Sequence, residues 1–96
     1  MAKKNELTKI KKKIVGILKK KGITKAGIFG SYATGNQKKQ SDIDIIIMPI
    51  KGMGFEFYGL NLELEEELGI GVDLVSYNGL SPYLKEKILQ QEVRII

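Results

Sequence analysis

Apolar residues return at every third or fourth position near the start of the chain. Leu7, Ile10, Ile14, Ile17 and Leu18 fall on one face, with lysines around the rest. This period predicts an amphipathic helix over 5–21, with Gly22 as its stop. Residues 25–30 read as a short strand ending at Gly30. Gly30-Ser31 then turns the chain into a short helix through Tyr32 and Ala33, and residues 35–40 read as a polar loop. Over 42–48 the β-branched Ile43, Ile45, Ile46 and Ile47 predict a second strand, ended by Pro49. Residues 51–54 form a flexible connection. A second amphipathic helix is predicted over 55–68, with Phe57, Leu60, Leu64 and Leu68 inward, Glu63, Glu65, Glu66 and Glu67 mostly outward, and Gly69 as cap. Residues 72–77 read as a third strand. Ser81-Pro82 is an N-cap with proline at the first helical position. The helix that follows runs to about Gln91, with Leu84, Ile88 and Leu89 expected inside. Residues 93–96 are a short apolar tail.

Helices thus alternate with strands along 96 residues, without an internal repeat or a linker. The expected architecture is one α+β domain over 1–96: a small mixed sheet of three to four strands, helices packed on one side, an acidic cluster open on the other. Such a length suits one core and leaves no room for a separate substrate-binding domain. No apolar run is long enough to span a bilayer, and the first residues do not read as a signal peptide, so the expected location is cytoplasmic.

Cysteine and histidine are both absent. That excludes disulfides, thiolate chemistry, zinc sites of the usual Cys/His kind and any histidine base. Chemistry here falls to carboxylates, hydroxyls, lysines or a bound metal. Eight of the eleven acids are glutamates, and the three aspartates are Asp42, Asp44 and Asp73. Asp42 and Asp44, one residue apart on a strand, point to the same side. Two carboxylates side by side repel, and a divalent cation resolves the repulsion; magnesium suits hard oxygen ligands. Asp73, between Val72 and Leu74 on the next strand, joins the cluster if the two strands pair. Three carboxylates can hold two metals. Gly30-Ser31 stands at a strand-to-helix turn, where glycine permits close backbone approach to a phosphate and a helix N-terminus favours anions. The Walker A pattern is absent.

The segment Phe29-Gly30-Ser31-Tyr32-Ala33-Thr34-Gly35, followed by Ser41-Asp42-Ile43-Asp44-Ile45, resembles the signature of the polymerase-β-type nucleotidyltransferase superfamily. Within it the chain is most similar to the minimal nucleotidyltransferases, including the antitoxins of HEPN/MNT toxin–antitoxin modules. The resemblance spans about residues 5–90. It implies that Gly30 and Ser31 hold the triphosphate of ATP, and that Asp42 and Asp44 bind metal. It makes Asp73 the third carboxylate, which helps activate the acceptor hydroxyl through the metal. It implies two Mg2+ ions, with Mn2+ as a substitute, and a HEPN-type toxin as partner and acceptor of AMP on a tyrosine hydroxyl. Many antitoxin members carry arginine where this chain has Thr34.

Two other classes of function stay open on the sequence: a binding module that masks its partner without catalysis, and a subunit of a small-molecule nucleotidyltransferase. Charge does not choose between them. Residues 1–25 carry a balance of +9 and residues 26–96 one of −4. The lysines read as the solvated face of the first helix, the alternative being a surface for RNA, an acidic partner or the triphosphate. Association of the chain with itself or with another protein is left open.

Overall fold

The computed structural model describes residues 2–35 and 42–96, without the side chains of residues 2–7, Ser31 and Thr34. The predicted loop over 36–40 and Ser41 lie outside the described residues. In chain order the elements are α1 (Ala2–Lys20), β1 (Ala26–Phe29), α2 (Ser31–Thr34), β2 (Ile43–Ile47), α3 (Glu56–Leu68), β3 (Val72–Ser76), a 3-10 turn (Tyr77–Gly79), α4 (Pro82–Gln91) and β4 (Val93–Arg94). The sheet order is β3-β2-β1-β4. β1 runs antiparallel to both β2 and β4, while β2 and β3 are parallel. The mixed α and β character agrees with the sequence.

Parity along the strands explains the core. Ala26 and Ile28 stand opposite Ile47 and Ile45, and Ile43 and Ile45 stand beside Val72 and Leu74. These residues share one face of the sheet. Ile14 and Leu18 of α1 and Leu60 and Leu64 of α3 complete the same buried cluster. Each such aliphatic side chain removed from water contributes roughly 1.5–3 kcal/mol. The parallel β2–β3 pair needs a crossover, and α3 supplies it. It also covers the free edge of β3: Glu65 Oε2 accepts from the Val72 N–H at 2.9 Å and Asn61 Oδ1 from the Leu74 N–H at 3.0 Å. An edge strand left bare would template pairing with other chains.

Three expectations need correction. The helix from Pro82 forms, with Ser81 Oγ capping the Leu84 N–H. Its predicted inner face does not: no α4 residue is buried, and Leu84 and Leu89 are exposed. The helix lies outside the main core, so its apolar positions gain no covering layer. The tail at 93–96 is not merely apolar; Val93 and Arg94 pair with Ile28 and Gly27 as a fourth strand. Tyr77, expected to end the third strand, opens the 3-10 turn and is buried. Among the described residues no helix is long and apolar enough to cross a membrane.

Candidate active site

The other face of the sheet carries the acids. Asp44 alternates with the core residues Ile43 and Ile45, so it projects away from them. The parallel register sets Asp73 directly beside it, with strands about 4.8 Å apart. The two carboxyl groups meet in a hydrogen bond. Burial lifts the Asp44 carboxyl above its ordinary value of 3.8, and the charges of Asp73 and Asp42 and the bond to Asp73 lift it further. Asp42, one residue before β2, leans over Gly71: a Cβ on Gly71 would lie 2.2 Å from Asp42 Oδ1. Asp42 and Asp73 are exposed and Asp44 is half-buried. The three predicted acids therefore occupy one row at one end of the sheet.

Gly30 closes this end. Its φ of +73° is a left-handed conformation that side chains disfavour. A Cβ there would also lie 2.1 Å from Asp44 Oδ2. The glycine was expected to admit a phosphate; the group it admits in the structure is the Asp44 carboxylate. The Ala33 N–H donates to the Gly30 carbonyl at 3.1 Å, starting the single turn of α2. Ser31 begins that turn by its backbone; its hydroxyl is outside the described residues.

Among the described residues no three acidic side chains already enclose a common point able to take an ion. The donor chemistry nevertheless fits a hard divalent cation. Three carboxylates stand in one row, and a cation beside them would oppose the charge that now raises Asp44.

A second polar group on this face was not anticipated. Tyr77, fully covered, donates its hydroxyl to Glu92 Oε2. The Glu92 carboxylate occupies the space over Gly27, where a Cβ would lie 2.1 Å from Oε2. Burial pushes the Tyr77 hydroxyl well above its ordinary 10.0; the bond to Glu92 and its charge add to this, and Arg94 opposes it. Lys25 Nζ stands 4.5 Å from the centre of the Tyr77 ring. Ile46, between the acid row and this pair, is fully buried yet lies outside the main core cluster. No sequence spacing signals this pair, because a turn and a tail fifteen residues apart make it.

Comparison with known proteins gives the arrangement a family. Residues 12–96 match the family described as polymerase beta, nucleotidyltransferase. A Methanocaldococcus jannaschii protein, named provisionally as a protein adenylyltransferase, is 44% identical over 91 residues, covering 94% of this chain and 98% of its own. The protein adenylyltransferase MntA of Thermococcus cleftensis is 34% identical over 76 residues, covering 77% and 76%. A crystal structure of a toxin–antitoxin with AMP-PNP superposes with a TM-score of 0.81 at 27% identity, covering 90% of this chain and 72% of that one. The row of three aspartates beside a left-handed glycine turn sits within the matched region, and the chain belongs to the polymerase-β-type nucleotidyltransferase family, as a nucleotidyltransferase of the minimal kind.

Proposed function

We propose that the chain transfers AMP from ATP to a hydroxyl of a partner protein, and that this silences a HEPN-type toxin. The observation that carries the reading is the in-register pair Asp44 and Asp73, with Asp42 beside them and Gly30 pressed against Asp44. Similarity to protein adenylyltransferases, and to a toxin–antitoxin crystallised with an ATP analogue, supports the choice of nucleotide and of acceptor.

Asp42, Asp44 and Asp73 would hold two Mg2+ ions, or Mn2+ in their place. When bound, the ions neutralise charge on the triphosphate and polarise the acceptor oxygen. The chain's own groups do the rest. Gly30 and Ser31 would hold the triphosphate beside the acid row through their backbone. Asp44, half-buried between its neighbours, fixes the centre of the row. Asp73, exposed on the edge strand, faces an arriving acceptor. The acceptor oxygen attacks the α-phosphorus in line, a new P–O bond forms, the α–β bridging bond breaks, and pyrophosphate leaves. The hydroxyl proton passes to a carboxylate of the row or to water. Positioning and charge neutralisation supply most of the acceleration.

The reaction is tested by incubating the chain with the protein encoded beside it, ATP and magnesium, and weighing both by mass spectrometry. One or more AMP additions on the neighbour are expected, absent with Asp42→Ala/Asp44→Ala. An unmodified neighbour that is still held and silenced by the double variant would replace transfer with masking.

A further inference from the structure

The side of the sheet on which α4 lies follows from the strand directions. β3 runs with β2, and β1 runs against both β2 and β4, so β3 and β4 are parallel. The crossover through α3 leads from β2 outward to β3, and the one through α4 leads from β3 back over the sheet to β4. Two right-handed crossovers that move in opposite directions lie on opposite faces. Leu60 and Leu64 of α3 pack on the core face, so α4 lies on the acid face. Gly27 agrees: it alternates with the core residues Ala26 and Ile28, and the carboxylate of Glu92, the C-cap of α4, stands over it. β4 starts with Val93 opposite Ile28, one step from Phe29, which stands opposite Asp44. The last turn of α4 therefore ends at the level of the acid row. It does so on the β1 side, from which the Gly30 turn departs. No α4 residue is buried, so the helix has little apolar reason to stay there. Beyond the two-residue pairing of β4, its fastening is polar. Tyr77 precedes the helix, Glu92 ends it, and the buried Tyr77 hydroxyl donates to Glu92 Oε2 across fifteen residues. A phenyl ring would fill the same space without a hydroxyl to desolvate, so packing alone gives no reason for tyrosine.

We propose that Tyr77 and Glu92 are positioning residues for nucleotide binding: their bond holds the last turn of α4 beside the acid row, as the wall on which the nucleoside of the bound triphosphate rests. The inference rests on the reading that the triphosphate lies at Gly30 and Ser31. The C-terminal end of a helix carries partial negative charge. It repels phosphates and suits an uncharged sugar and base, which offer O–H and N–H donors. The acceptor has another way in, because β3 with its exposed Asp73 is the opposite edge of the sheet from β4.

Calorimetry with magnesium and two probes tests it: α,β-methylene-ATP, which cannot transfer AMP, and inorganic tripolyphosphate, which has no nucleoside. Tyr77→Phe should weaken binding of the analogue about three- to ten-fold and leave tripolyphosphate unchanged. Glu92→Ala should do the same. Glu92→Gln keeps an acceptor oxygen for the Tyr77 hydroxyl and should bind the analogue near the wild-type level. In transfer assays held well below the Tm of each variant, Tyr77→Phe should raise the KM for ATP while kcat stays within about two-fold. Equal affinity of wild type and Tyr77→Phe for the analogue would overturn the inference. So would an equal loss for both probes, which marks general damage to the site, or a rise confined to the KM for the acceptor. A wild type that binds tripolyphosphate as tightly as the analogue would overturn the wall and leave the triphosphate reading standing. A wild type that binds neither probe would overturn both.

Discussion

Gly30 and Gly71 each stand where a methyl group would strike a carboxylate oxygen, Asp44 Oδ2 and Asp42 Oδ1 respectively. Only Gly30 also has a positive φ. Gly71→Ala is therefore expected to displace an exposed carboxylate with little change in Tm while transfer falls about ten-fold or more. Gly30→Ala adds a left-handed alanine, about 1–2 kcal/mol, and should lower both Tm and activity. Thermal melts beside label transfer separate the two. Asp44 gives a pH test. Its folded pKa is raised, so its stabilising contribution is full below the unfolded value and is lost as pH rises through the folded one. In metal-free protein, Asp44→Asn should thus raise Tm at neutral pH by roughly 1–4 °C, and the gain should vanish below the ordinary 3.8. Magnesium should raise the Tm of wild type and do so less for the variant. The aspartates were legible because i and i+2 share a strand face. Gly71 was not, because its reason is a carboxylate from a neighbouring strand.

The central elements were readable because one periodic face meets one core. Ile14 and Leu18, Leu60 and Leu64, and Ile43, Ile45 and Ile47 of β2 all lie in it. α4 was readable as a helix and misread as a packed one: its capping is local, while its burial depends on what lies opposite. The contrast is measurable. Leu64→Ala should cost about 2–5 kcal/mol by denaturant unfolding, whereas exposed Leu89→Ala should stay within about 0.5 kcal/mol. By its period Glu65 falls on the outward side of an amphipathic helix, and Asn61 carries no signal of its own. Their work on the edge of β3 is set by the crossover geometry, which no local period records. The two residues of β4 are too short a run to announce a strand, and only the edge of β1 makes them one.

For the whole molecule, the sheet divides labour between its faces. One face buries the aliphatic cluster and fixes the strand register. That register places Asp44 beside Asp73 on the other face, at the end where the Gly30 turn leaves β1. The Tyr77–Glu92 bond closes the same face further along and ties the turn after β3 to the residue before β4. Tyr77→Phe should cost about 1 kcal/mol of stability and leave the acid row in place. The central claim is that the acid row moves the α-phosphoryl group of ATP with its nucleoside. The most direct measurement supplies the chain and its neighbouring protein with magnesium and ATP labelled at either the α- or the γ-phosphate. Label on the protein from α-labelled ATP alone, lost in Asp42→Ala/Asp44→Ala, is the predicted result. Label arriving from the γ-phosphate, or α-label persisting in the double variant, would contradict it.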